Sequence, residues 1–189
     1  MLMLCVVLAL ILGWCTGGRL ARFEEAGLRR LSLPILALVC QQVMSLLTGY
    51  IPMPFERWAW IPLLLSYGLI FFFLWLNRHL KKTGCLMGVG SLCNLAVIAA
   101  NGWRMPVASW AVALLSNQGA AQLLAGEIPM YCLANASTRL LFLGDIFYCP
   151  LPLVGGLASV GDLFLAGGIF FCLLACMQPE RLPKWLKSG

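Results

Sequence analysis

Charge is scarce in this chain: Asp, Glu, Lys and Arg make up 11% of its 189 residues, against roughly 25% in an ordinary soluble domain. A soluble fold of this size would have too little polar side chain to cover its surface. Histidine occurs once, at His79, and no C-x-x-C or H-E-x-x-H spacing is present. A zinc or iron–sulfur centre is therefore not expected, nor any other metal or cofactor. The thirteen Lys and Arg form no basic stripe with interleaved aromatics, so no nucleic-acid partner is expected. Repeats, low-complexity tracts and disordered linkers are missing as well, and residues 1–189 read as one domain.

What is present is apolar. Hydrophobic residues make up 61% of the chain and the mean hydropathy is +0.90. A membrane-spanning helix needs about 20 apolar residues, with a range of roughly 17 to 25. Candidate spans fall at about 1–16, 33–50, 59–76, 84–100 and 161–178. The first lacks a basic leader and an A-x-A-like cleavage site, so it reads as a retained helix rather than a signal peptide. The expected fold is thus an all-α membrane protein of about five transmembrane helices, with the bilayer as its principal partner.

The stretch 101–160 breaks the pattern. Its apolar pieces are short, and Pro106, Pro129, Pro150 and Pro152 interrupt them. It reads as an outer-face segment of short or re-entrant helices before the last span, or else as containing a sixth span over 106–126. Irregular backbone at membrane depth is tolerated only where protein or water covers it.

Charge placement favours five crossings. Arg19, Arg22, Arg29 and Arg30, then Arg78, Lys81 and Lys82, then Arg181, Lys184 and Lys187 fall on one side, leaving Arg57, Arg104 and Arg139 opposite. The positive-inside rule then puts the N-terminus outside and the C-terminus in the cytoplasm. Trp58, Trp60, Trp75, Trp103 and Trp185 flank the apolar runs, as an interfacial belt does. Arg19 to Arg30 reads as a solvated loop, or as a short surface helix. Most of the nine cysteines read as small apolar side chains; Cys132 and Cys149, both on the outer side, are the pair able to join in an oxidising compartment.

Polar groups at membrane depth need partners. Gln41 and Gln42 fall within the second run and Asn94 within the fourth, where they either tie helices together or line a cavity. The densest cluster lies at the outer face: Asn101-Gly-Trp-Arg104-Met-Pro106, Leu143-Gly-Asp145 and Ser159-Val-Gly-Asp162. Asn101-Gly102 has the form of a helix C-terminus, and Gly144 that of the end of a helix from about Asn135 to Leu143. Ser159 with Asp162 has the form of a capping box. Capping does not account for Arg104, Asp145 and Asp162 together, which are expected either to pair across the cap or to present charge to a ligand.

The order NGWRMPV, LGD and SVGDLFLAGGIFF resembles an uncharacterised family of multi-spanning bacterial membrane proteins, known as a domain of unknown function. The resemblance implies hallmark positions at Asn94, Asn101, Gly102, Met105, Pro106, Gly144, Asp145, Ser159, Gly161 and Asp162, and a place in a bacterial cytoplasmic membrane. It implies no activity.

Three functions are compatible with these residues. The first is a non-catalytic subunit or accessory component of a larger membrane complex, with Ala166, Gly167 and Gly168 as a packing surface for other membrane subunits. The second is a small-molecule carrier or substrate-binding module with a pocket beneath the outer segment. The third, less favoured, is a lipid or isoprenoid head-group enzyme using Asp145 and Asp162. No nucleophile with an adjacent base accompanies those aspartates, so no catalytic residue is expected.

Overall fold

The computed structural model describes residues 2–50, 58, 60–128, 130–151 and 156–187. Arg57, Ala59, Pro129 and Pro152 lie outside the described residues. Each of the five apolar runs forms a helix: α1 (Leu2–Cys15), α2 (Ser32–Tyr50), α3 (Trp60–Leu76), α4 (Lys81–Ala100) and, after the outer segment, α6 (Val160–Met177). Pro34 and Pro62 stand in the first turns of α2 and α3, where a missing N–H costs no helical bond. Between α4 and α6 lies α5 (Asn117–Leu124), N-capped by Ser116, whose hydroxyl accepts from the Gly119 N–H at 3.2 Å. A short α7 (Lys184–Lys187) ends the described chain.

Two of these helices, α4 with 20 residues and α6 with 18, are long and apolar enough to cross a membrane. That corrects the expectation of five full spans. At about 1.5 Å per residue, α1 with its 14 residues and α3 with its 17 fall short of a hydrocarbon core of about 30 Å. Of α2, the part with described side chains, Ser32–Val43, is a shorter apolar helix. The stops are local: α1 gives way to a turn at Gly17 with φ +88°, and α3 ends at Asn77.

The all-α expectation is also corrected. The outer segment contains a four-stranded mixed sheet in the order β2-β1-β3-β4, made of β1 (Met105–Val107), β2 (Tyr131–Leu133), β3 (Asp145–Cys149) and β4 (Gly156–Ser159). The pieces between its prolines and glycines are too short to bury as helices, and pairing them satisfies the backbone instead. β1 runs parallel to both β2 and β3, and β3 pairs antiparallel with β4. The passage from β1 to β2 goes through a 3-10 turn (Ser109–Leu114) and α5, so no helix spans 106–126. The expected helix over 135–143 is absent too. Leu140 is left-handed (φ +54°), only Leu141–Leu143 make a 3-10 turn, and Gly144 is extended. Gly144 is instead a point of close approach, since a Cβ there would lie 2.6 Å from the Pro106 carbonyl.

α4 and α6 make the largest contact between helices. They meet through glycine: a Cβ on Gly90 would lie 2.5 Å from the Gly161 carbonyl oxygen, and one on Gly168 would overlap Met87. Leu63 and Tyr67 of α3, Val97 and Ile98 of α4 and Met105 of β1 form a core joining the helices to the sheet.

The basic segments gather at the end of the helices away from the sheet. Arg19 N–H donates to the Met177 carbonyl, Arg181 N–H to that of Thr16, and the Arg22 guanidinium pairs with Glu180 at 2.6 Å. Lys82 at the start of α4 donates to the Trp185 carbonyl. The Arg19–Arg30 loop has a 3-10 turn at Leu20–Phe23 followed by further turns. Its Arg29 backbone is held at both N–H and C=O by the buried Asn77 amide.

Candidate functional site

The structure brings the remote polar residues together where the helices meet the sheet. A cavity of about 250 Å³ is lined by Gln41 and Gln42 of α2, Tyr67 of α3, Asn94 of α4, Tyr131 of β2, Asp145 of β3 and Asp162 of α6. Leu63, Ile98, Met105 and Met130 complete its wall.

Sheet register places the two aspartates. Asp145, the first residue of β3, stands opposite Ser159 at the end of β4, and Ser159 is the N-cap of α6. The Ser159 hydroxyl accepts from the Asp162 N–H at 3.0 Å, and Asp162 Oδ2 accepts from the Ser159 N–H at 3.1 Å. This is the capping box read from the sequence. It carries a further link: Ser159 Oγ donates to Asn94 Oδ1 at 2.8 Å, and Asn94 Nδ2 donates to Asp162 Oδ1 at 2.9 Å. Asn94 thereby locks α4 to the start of α6, with Gly161 too close beside it to carry a side chain.

Asp145 is held differently. It is 5% exposed, and among the described residues no hydrogen bond or ion pair reaches its carboxyl. Burial first, and the neighbouring Asp162 charge second, raise it from 3.8 to about 7. Tyr131 is pushed up to about 12 by burial, then by Asp145 and Asp162, and so remains a neutral phenol. Among the described residues no Lys, Arg or His lines the cavity; within a chain of net charge +6 its described lining carries only acidic charge.

Two residues of the expected outer cluster stand elsewhere. Asn101 ends α4, donating to the Val97 and Arg139 carbonyls and accepting from the Arg139 N–H, so it ties a loop down rather than facing the cavity. Arg104 is not in the lining either, and it is Cys132 that feels its charge, which lowers the thiol against the upward push of burial. An Arg104–aspartate pair is not formed among the described residues, where the ion pair is Arg22–Glu180. Cys132 and Cys149 are free thiols, on strands that flank β1 on opposite sides. Gln41 donates to Ser66 Oγ at 2.8 Å.

Tyr67, Tyr131, Met130 and Ser66 were not legible as site residues. Ser66-Tyr67 does carry a signal, being the polar interruption of the otherwise apolar WIPLLLSYGLIFFFLWL. Tyr131 and Met130 carry none, because only the sheet brings them over the helices.

Among the described residues the arrangement offers acceptors: one buried carboxylate without a partner, a second anchored carboxylate, and amides, with no cation for an anion and no activated nucleophile. No curated protein and no solved structure matches this chain. A family model, described as a family of unknown function (DUF5317), matches residues 25–174. That span covers α2 to α5, α6 as far as Leu174 and every described residue that lines the cavity, and the chain belongs to this family of unknown function, DUF5317.

Proposed function

We propose that the protein is a non-catalytic integral membrane component that holds a small polar solute in the cavity between its helices and its sheet. The observation that carries the reading is Asp145, 5% exposed and unpartnered among the described residues on the wall of a cavity of about 250 Å³. An unpaired buried carboxyl is costly, and its retention beside an open space suits a ligand that completes it. Of Ala166, Gly167 and Gly168, the packing surface for a partner subunit, Ala166 and Gly168 are buried within the chain, Gly168 against Met87 and Thr83 of α4, and Gly167 is half-buried near Leu86.

The membrane setting rests on α4 and α6 and on apolar side chains that face outward. Met3, Ile35 and Trp75 are each about 60% exposed, part of an apolar surface too extensive for water. The basic end of the helices would face the cytoplasm. α1 runs toward that end and α6 ends there, which supports an N-terminus outside and a C-terminus inside, with the shorter helices accommodated by local thinning of the bilayer.

The test is in two steps. The protein should stay with membranes through an alkaline carbonate wash. Purified in nanodiscs, it should then show a saturable rise in melting temperature with at least one member of a panel of amines, amino acids, sugars and nucleosides. Release by carbonate, or a flat response to every solute at millimolar concentration, would overturn the reading.

A further inference from the structure

We infer that the solute is a small organic cation, a primary or quaternary ammonium of a few heavy atoms, seated with its charge on the Asp145 carboxylate. This rests on the solute-binding reading above. Four features converge on it.

Asp162 is already committed: one oxygen accepts from Asn94 and the other from the Ser159 N–H. Asp145, in the same cavity, has both oxygens without a hydrogen-bond donor among the described residues, and is 95% shielded from solvent by relative area. A buried carboxylate without a counter-charge is strongly disfavoured, and among the described residues no Lys, Arg or His lines the cavity. A proton or a bound cation would supply the positive charge that the described lining lacks. Anions are excluded by the same two carboxylates.

The rest of the wall suits an ammonium better than a bare metal ion. Tyr67 and Tyr131 line the space, and aromatic faces attract organic cations. Gln41 and Gln42 also line the cavity, and amide oxygens accept from N–H donors. Met105 and Met130 add soft apolar contact. Among the described residues no group of three or more His, Cys, Asp or Glu is placed to hold a metal, and a cavity of about 250 Å³ is larger than a dehydrated ion needs.

Proton and cation then compete for one carboxylate. The ionisable groups facing Asp145 are Asp162 from α6, Tyr67 from α3 and Tyr131 from β2; α2 and α4 present amides and β1 a thioether. Rising pH removes the proton and opens the site to the cation, so binding strengthens from acid to mildly alkaline solution. No covalent step is involved.

The experiment uses the full chain in nanodiscs, titrated with methylammonium, ethanolamine, choline and putrescine, alongside glycerol, acetate and MgCl₂, followed by calorimetry and melting temperature. At least one ammonium is expected to bind saturably, at least tenfold tighter at pH 8 than at pH 5.5, and Asp145→Asn should weaken it at least tenfold at pH 8 while remaining folded. The pH series on the unaltered protein is a second readout that needs no variant. Saturable binding of glycerol or acetate with no ammonium response would overturn the cation assignment and leave the solute-binding reading standing. Binding of Mg²⁺ alone would overturn it in favour of a metal site. Ammonium binding indifferent to both pH and Asp145→Asn would remove Asp145 as its seat. Failure of all these probes, together with the wider solute panel, would remove both readings.

Discussion

The Asn94 side chain donates to Asp162 at 2.9 Å across 68 positions of sequence, while its oxygen accepts from Ser159 at 2.8 Å. One buried amide therefore completes the N-terminal cap of α6 from the neighbouring helix. Asn94→Leu keeps the approximate volume and removes both bonds, leaving the Ser159 O–H without an acceptor and Asp162 Oδ1 without its donor. The expected loss is about 2–4 kcal/mol, read as a lower melting temperature in detergent. An unchanged melting temperature would show that the link carries no stability.

Glycines on α4 and α6 separate cleanly by what surrounds them. Gly161→Ala would drive a Cβ into Asn94, and Gly90→Ala would put one 2.5 Å from the Gly161 carbonyl oxygen. Each should cost about 1–3 kcal/mol or more, since backbone cannot step aside as a flexible side chain does. Gly88 meets only Leu74 Cδ1 at 3.8 Å, so Gly88→Ala should be neutral or stabilising by up to about 1 kcal/mol. Equal effects at all three positions would contradict the α4–α6 crossing.

Asp145 makes stability depend on pH in a defined direction. Its carboxyl, 3.8 when unfolded, is raised to about 7 in the folded protein, by burial and then by Asp162. The folded state therefore binds more protons between these values, and the stability contributed at low pH is lost as pH rises from about 4 through 7. Asp145→Asn removes this penalty. It should stabilise by on the order of 2–4 kcal/mol at pH 8 and change little at pH 4. A variant less stable than the parent at pH 8 would mean that the carboxylate has a partner in the folded protein.

Asn77, 3% exposed, clamps the Arg29 backbone and donates to the Phe73 carbonyl at 2.9 Å. Asn77→Ala strands the part-buried Arg29 N–H and C=O and should cost about 1–3 kcal/mol. The Arg22–Glu180 pair has its carboxylate side 68% exposed, so Glu180→Gln should cost under about 1 kcal/mol and less in high salt. Chemical denaturation of the two variants side by side tests the ranking, and a larger loss from Glu180→Gln would reverse it.

The apolar runs were legible as helices because helix formation is local: each run supplies its own backbone partners, and Pro34 and Pro62 fall where a helix tolerates them. The capping box of Ser159 and Asp162 was legible for the same reason, its partners being three residues apart. Whether each run is a full span was overestimated, because apolar length in sequence ignores where Gly17 and Asn77 end the regular backbone.

The sheet was not legible. β1 and β2 are three residues each, too short for a periodic pattern, and β1 gains its hydrogen bonds only by meeting β2 and β3 from distant parts of the chain. The same holds for the candidate site. Asp145, Asp162, Asn94 and Gln41 could be picked out singly as polar residues in an apolar chain, but Arg104 and Asn101 looked equally eligible. The helices and the cap of α6 are readable from the chain alone because they are set by contacts within a few residues, and the charge asymmetry because it is a matter of composition along the chain. That Asp145 faces a cavity without a partner among the described residues, while Asn94 secures Asp162, follows from strand register and the crossing of α4 with α6, which depend on contacts between residues far apart in the chain.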